Sequence, residues 1–590
     1  MPRWDLTAAF PSLDSSEFAS SFEELGVESK RFEEALDKAE GLSLDDVASL
    51  SGRLDDLIAL CNQIQDRIRT LTSFIHGFVS VDSRNDLARS KESELDKALI
   101  PFSKCGTRFT SWIGRLPLDA IIAKSQVARD HEFFLRKSQL AARRLMSPSE
   151  ESLAAELLPT ALYGWTKLHG QVTSQIEVEL EVKGQLKRLP MSVLRTLAYE
   201  PDRSVRKAAY EAELEAWKKH EGPIAAAMNG VKGTVTSLSV RRGWNSVLDE
   251  ALFASNIDEK TLGAMMQAAK EALPDFRRYL HVKARLLGLE RLTFYDLFAP
   301  MEGAAKIWTY EEGARFVARH FRAYSDKLAD FAERSYREKW IDAEPRPGKR
   351  DGAFCMGLVE DQSRILMNYK PSFGSVKTLA HELGHAYHNL CLAGRTNLQR
   401  RTPMTLAETA STFCETVIQN AALEEASGEE KLQILEGSLD GSCQTTVDIL
   451  SRFLFEQQMF EDRAKRELSA AEFCNLMLDA QRQTYGDGLD GNFLHRYMWA
   501  VKPHYYGRSF YNFPYMYGML FGLGLYSIYR KDPESFKVNY DELLSSTGLA
   551  DAATLAERFG FDVSSPAFWR SSFDVIREQI KAFEQSSHVR

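Results

Sequence analysis

A mostly α-helical protein is predicted by three features of the sequence. Long runs place apolar residues at helical spacing with few breakers. Strand-like patterns are confined to short stretches. The run around His381-Glu382-Leu383-Gly384-His385-Ala386-Tyr387-His388 also puts two histidines one helical turn apart.

Residues 1 to about 150 read as long helices. Within Ser51–Phe78, Leu54, Leu57, Ile58, Cys61, Ile64, Ile68 and Leu71 recur at helical spacing. His76 and His131 stand alone and read as satisfied structural residues. Ser147-x-x-Glu150 is a capping box that opens the next helix. The stretch Val172–Lys183 (VTSQIEVELEVK) then alternates apolar and charged residues, as a half-buried strand should, and Gly184 turns the chain into a hairpin. Residues 192–245 return to helix, with Arg203, Arg206, Arg241 and Arg242 on a solvated face. Asp258–Leu287 and Tyr310–Tyr336 are further helical regions.

Asp342–Gly352 (DAEPRPGKRDG) concentrates proline, glycine and charge, and reads as a loop. Two apolar runs follow, Ala353–Val359 and Ile365–Tyr369, separated by Glu360–Arg364. They form a predicted hairpin just before the histidine helix. An exposed strand edge there could pair with an extended peptide backbone; the plainer alternative is a purely structural hairpin.

Composition excludes some classes. With 590 residues there is length for three or four domain-sized units, and 44% hydrophobic with 27% charged residues is ordinary for a globular chain. A net charge of -9 argues against a dedicated nucleic-acid binder, which needs a strong basic face. The seven cysteines are scattered without a CxxC pair, so neither a disulfide framework nor a cysteine metal site is indicated. Met1-Pro-Arg-Trp-Asp-Leu lacks the apolar core of a signal peptide, and a reducing cytoplasm is expected. Phe513–Tyr529 is uncharged, yet its glycines, proline and tyrosines suit a buried helix rather than a membrane span.

The chemistry centres on His381-Glu382-x-x-His385. On a helix from about Ser375 to about Gly394, both histidines can reach one metal ion, while Glu382 lies one position round and can serve as a base. Val376, Leu379, Ala380, Leu383, Ala386, Leu390 and Leu392 form the buried stripe of this helix. Gly384 is costly there by about 1 kcal/mol against alanine. A close approach by another backbone or by substrate would explain it, as would tight helix packing.

A catalytic zinc needs a third protein ligand and an open position. Thr402 as N-cap and Pro403 at the first helical position predict a second helix over Met404–Leu423. Glu408 and Glu415 lie two turns apart on it, so one can bind metal while the other orients a ligand histidine. Glu360 and Asp361 compete for the third place. Further along, Lys502-Pro-His504-Tyr505-Tyr506 and Ser509–Tyr517 offer a histidine and several phenols as donors to a developing oxyanion, against a core-packing alternative.

These motifs resemble the oligoendopeptidase F-type enzymes of the thimet-oligopeptidase family of zinc metallopeptidases. HELGHAYH at 381–388 and LAETAST at 406–412 match the family's metal signatures. PHYY at 503–506 and FYNFPY at 510–515 resemble its substrate region, and RWDL at 3–6, LLGLERLTFYDLFAP at 286–300 and DGAFC at 351–355 resemble the oligoendopeptidase branch. The resemblance implies that His381, His385 and Glu408 bind one Zn2+ per chain, that Glu382 is the general base, and that Glu415 supports the site. It implies substrate or intermediate contacts for His504, Tyr511 and Tyr515, and a structural His388. It also implies a two-lobed helical ellipsoid with a deep central channel and a small β-hairpin or sheet beside the zinc helix. The expected division is an N-terminal helical region at 1–110, an oligopeptidase F-type N-terminal domain with a short β segment at 111–195, and a catalytic domain at 196–590. The implied activity is cleavage of internal bonds in short unstructured peptides, by Glu-assisted attack of zinc-bound water. A carboxypeptidase of the related helical type and a non-catalytic peptide-binding protein are the alternatives.

Overall fold

The computed structural model describes residues 1–182, 184–301 and 306–587. Helices dominate, and the strands among the described residues form one two-stranded and one three-stranded sheet. The chain divides into two compact units, each assembled from three segments. Unit one comprises Met1–Leu145, Lys306–Ala421 and Ile528–Phe559; unit two comprises Met146–Ala305, Ala422–Ser527 and Gly560–Arg590.

Unit one begins with the helices Ser16–Glu40, Val47–Val81 and Asp86–Arg115. Ser15, Asp46 and Asn85 cap them by accepting backbone N–H bonds, which satisfies donors that a helix start leaves free. The apolar stripe expected over Ser51–Phe78 is buried: Leu54, Leu57, Ile64 and Leu71 expose nothing. Tyr310–Tyr336 is two helices rather than one, Tyr310–Tyr324 and Asp326–Arg337, because Ser325 adopts an extended backbone between them.

Unit two carries a helix of 39 residues, Arg203–Arg241, and the pair Glu259–Leu286 and Pro566–Ser587, where Phe276 meets Phe573 edge-on. The strand expected over Val172–Lys183 is shorter. Residues through Ser174 belong to the helix Tyr163–Ser174, and only Glu177–Val182 (β1) pairs with Gln185–Pro190 (β2). Lys183 lies outside the described residues. The valine and serine at the start of that stretch fit either period, and the helix claims them. Arg206, expected on a solvated face, is instead 3% exposed, because its guanidinium binds the wholly buried Asp296 at 3.0 Å. Phe513–Lys531 is a helix with most of its residues buried, and no described helix is long and apolar enough to cross a membrane.

The second sheet belongs to unit one and lies against the histidine helix. Its strands are Ile341–Asp342 (β3), Phe354–Val359 (β4) and Gln362–Leu366 (β5), in the order β3-β5-β4. The hairpin turn is tighter than Glu360–Arg364: Val359 already faces Gln362, and Glu360 takes a left-handed φ of 47°. Polar residues of β5 hid this start from the pattern. Ser363 and Arg364 are nonetheless buried, with Arg364 donating to Ser363 O and Gln362 Oε1.

The charged loop before β4 is pinned rather than solvated. Asp342 is 1% exposed and accepts two bonds from Arg346, at 2.7 and 3.0 Å. The fully buried Lys349 ammonium donates to Asp342 Oδ1 at 2.6 Å and to the carbonyls of Glu344 and Met367 at 2.9 and 2.7 Å. Lys349 thus ties the loop to the chain leaving β5. Its replacement by methionine is expected to destabilise unit one by about 3 kcal/mol, because Asp342 loses half of its compensation. Denaturant titration would read this as a lower midpoint; an unchanged midpoint would show that the loop is no brace.

Candidate metal centre

Two helical segments of unit one bring the predicted donors together. The first is Phe373–Cys391, which starts two residues earlier than the pattern predicts and stops before its C-cap Leu392, short of Gly394. Most of its predicted stripe is buried: Val376, Leu379, Ala380, Leu383 and Ala386 are wholly unexposed and Leu392 is buried, while Leu390 near the end of the helix is only half-buried. That face fixes the rotation of the helix, so His381 and His385 emerge together, half-buried, with ring centroids 4.9 Å apart.

The second segment departs from expectation in two ways. Pro403 is the N-cap, not the first helical residue, with Met404 beginning a four-residue helix that stops at Ala407. Thr402 is freed from capping and hydrogen-bonds Thr547 Oγ1 at 2.9 Å. A new helix, Thr409–Glu425, begins after Glu408. Glu408 sits at the break, at φ −86° and ψ 4°, and its carboxylate is held by Ser411 Oγ at 2.7 Å.

Gly384 explains how the segments meet. A β-carbon there would lie 2.6 Å from Ala410 O and 2.6 Å from Ser411 Cα, both backbone atoms that cannot swing aside. The close backbone approach is therefore the reason for the glycine, and substrate is not needed to explain it.

The result is a cluster in which donor atoms of His381, His385 and Glu408 all lie within 4.8 Å of one another. Glu408 Oε2 is 3.3 Å from Nε2 of each histidine. His381 Nδ1 faces Glu415 Oε2 at 3.0 Å, and Lys377 Nζ bonds the other Glu415 oxygen at 2.9 Å. Burial opposes a charge on Glu415, but Lys377 and His381 outweigh it and bring its pKa down to about 2. Glu408 is likewise held well below the carboxylate range, its two histidine contacts overcoming burial. For His381 burial acts downward, and the two carboxylates raise it to about 10.

Glu382 is the exception in this network. It is 5% exposed, its Oε2 is buried without a hydrogen-bond partner, and burial pushes its pKa up. Three carboxylates (Glu382, Glu408, Glu415) thus face one ammonium, Lys377, and the excess of negative charge suits a divalent cation. Two imidazoles and one carboxylate are also the donor set of a catalytic zinc with an open position. The residues present fit the ion.

Other candidates fall outside the cluster. Asp361 is paired with Arg334 at 2.5 Å, and Glu360 is an exposed turn residue. His388 is 4% exposed and bonds Leu544 O and Thr547 Oγ1 at 3.1 and 2.9 Å. Lys377 lies four residues before His381, one helical turn away, and that spacing is the only mark it carries in the sequence.

In unit two, the predicted histidine and two tyrosines also converge. His504 stacks on Tyr511 at 5.5 Å and meets Tyr515 at 6.2 Å, and the two phenol rings are 5.7 Å apart. All three are half-buried. The remaining phenols of this stretch are core: Tyr505, Tyr506 and Tyr517 are unexposed, Tyr506 stacking on His169 and Tyr517 packing against Trp569. Burial lowers the His504 pKa, and the charges of Arg452 and Lys502 add to the effect. The loop is held from beneath. Arg452 donates to Asn512 Oδ1 at 3.2 Å and pairs with Asp448, and Phe510 takes a φ of 51° that a bulky residue rarely adopts.

Known proteins share both the sequence and the fold. A model of peptidase family M3 matches residues 196–575. Oligoendopeptidase F, plasmid, of Lactococcus lactis subsp. cremoris is 23% identical over 598 residues, an alignment spanning 99% of this chain and 96% of that protein. Group B oligopeptidase PepB of Streptococcus agalactiae serotype III matches at the same 23% identity, over 99% of this chain and 96% of its own. The crystal structure of oligoendopeptidase-F from Enterococcus faecium has the same fold, with a TM-score of 0.72 at 18% identity, covering 97% of this chain and 99% of that one.

The close approach at Gly384 makes a direct prediction. Gly384→Ala should keep the fold yet force the two segments apart, lowering divalent-metal affinity by on the order of 10–100-fold, the range found when support of a ligand is lost. Competition with a chromophoric chelator would measure it, and an unaltered affinity would show that the approach does not set the donor spacing.

Proposed function

Because the chain belongs to peptidase family M3 and to its oligoendopeptidase F type, we propose that it is a zinc-dependent endopeptidase that cuts internal bonds of short, unstructured peptides. The observation that carries this reading is the juxtaposition of three metal donors within 4.8 Å with a buried, unpartnered carboxylate oxygen on Glu382.

His381 and His385, through Nε2, and Glu408, through Oε2, would hold the ion. Zinc bound there would supply Lewis acidity, polarising the peptide carbonyl and bringing the pKa of water toward 7. The remaining chemistry belongs to the chain. Glu382 Oε2 takes the proton of the attacking water and passes it to the leaving amine. Its raised pKa suits it to both transfers, since a carboxylate in the ordinary range is a weaker base. Glu415 accepts from His381 Nδ1, which leaves Nε2 as the ligating nitrogen, and Lys377 keeps Glu415 in place.

Substrate binding is assigned to two features. Strand β4 is the edge of its sheet, and its outer backbone groups are suited to pairing with an extended peptide irrespective of sequence. His504, Tyr511 and Tyr515 are assigned to substrate contact and to donation toward the developing oxyanion, which is supported by their mutual clustering and partial exposure.

Glu382→Gln separates the steps. It should retain one zinc per chain by elemental analysis while turnover of an internally quenched peptide falls by on the order of 10²–10⁴-fold. Near-normal turnover would sink the mechanism. Mass spectrometry of fragments from a mixed peptide library should show internal cuts; release of C-terminal residues alone would replace the endopeptidase with a carboxypeptidase.

A further inference from the structure

Within unit two lies a cavity of about 280 Å³ that none of the chemistry above uses. One wall is aromatic: Tyr199 lies against Phe298 at 5.2 Å, and Tyr210 against Tyr295 at 5.3 Å. The opposite character comes from basic residues, two of which are already committed. Arg195 is paired with Glu213, and the buried Arg206 with Asp296. Glu213 is held further by Trp217 Nε1 at 3.0 Å and by His495 Nε2 at 3.2 Å.

One group in the lining lacks such a partner. Among the described residues, the Lys502 side chain makes no hydrogen bond or ion pair, although most of it is buried. His495 is 1% exposed and is committed through Nε2, which lies 3.2 Å from Glu213 Oε1, while its Nδ1 has no hydrogen-bond partner. A desolvated ammonium without a direct ion pair is costly: burial brings the Lys502 pKa down to about 8, and Asp448 and Glu213, which act on it only through space, do not offset the loss of water. Such a group calls for an anion.

We propose that this cavity binds a peptide carboxylate carried on an aromatic or aliphatic body, with Lys502 as its counter-ion and the tyrosine wall as the seat of the apolar part. A single unpaired ammonium matches a monoanion. Phosphate is disfavoured, because the two guanidinium forks it would prefer are spent on Glu213 and Asp296. That the ligand is a peptide rests on the function proposed above, for Lys502 leads through Pro503 into His504, and the Tyr505 amide closes the turn on the Lys502 carbonyl. The source of the carboxylate is either the peptide C-terminus or an acidic side chain.

Calorimetry on the full-length zinc-loaded protein distinguishes these. N-acetyl-phenylalanine and N-acetyl-phenylalaninamide test the C-terminal carboxylate, and N-acetyl-glutamyl-phenylalaninamide tests the side chain. At least one acid should bind on the order of tenfold or more tightly than the amide, the gain expected of a charged hydrogen bond. Lys502→Met should abolish that preference and Lys502→Arg restore it. Ser192→Trp, a change at an exposed residue that fills the cavity mouth, should block binding without touching Lys502. Equal binding of acids and amide, or an acid preference that survives Lys502→Met and vanishes on zinc removal, overturns the proposal. Glu382→Gln should bind the probes as the wild type does. An inactive wild type that still prefers acids would therefore refute only the peptidase reading, and an active one without the preference would refute only the pocket.

Discussion

The spacing between Gly384 and the Ala410–Ser411 backbone governs the metal centre. Two helical segments separated by ordinary side chains could not bring one carboxylate oxygen to 3.3 Å from both imidazoles. Removing a β-carbon makes that approach possible, at a cost of about 1 kcal/mol in helix propensity. The buried stripe from Val376 to Ala386 offsets it many times over, since each large apolar side chain contributes about 1.5–3 kcal/mol when removed from water. Local instability is thus placed where geometry requires it and is borne by the packed face of the same helix.

Electrostatics then orders the donors. Lys377, Glu415, His381, Glu408 and Ser411 form a continuous chain of contacts, each residue held by the next. Ligands arranged in this way lose little freedom when an ion arrives. Glu382 stands beside the chain without joining it through Oε2. The His504 cluster follows the same logic on a different scaffold. Arg452 and Asn512 hold its loop, and Lys232, buried with Glu456, reaches Ser509 at 3.5 Å.

Much of this was legible in the sequence, for identifiable reasons. The spacing of His381 and His385, the seven-residue step from Glu408 to Glu415 and the apolar stripe are all consequences of helical periodicity, which local sequence reports directly. The capping box at Ser147 formed as its motif requires. What escaped depended on distant partners. Arg206 became a core residue only because Asp296, 90 residues away, lies beneath it. Arg364 is buried within a strand, so the hairpin's true start was masked by charge. The interruption of the second helix at Glu408 follows from a tertiary contact that neither segment announces alone. Nor does any local signal show that the chain alternates between its two units.

That alternation has a biosynthetic consequence. The histidine helix is covered in part by Ile528–Phe559, the last segment of unit one, where Asp541 accepts from Tyr387 across 154 residues of chain and Thr547 holds His388. A ribosome therefore releases the metal motif long before it supplies the segment that completes its packing. Contacts of such separation form slowly and late. Maturation of the metal centre is thereby deferred until residues through Thr547 have emerged, and a product truncated before them would lack the clamp that keeps its helix in register.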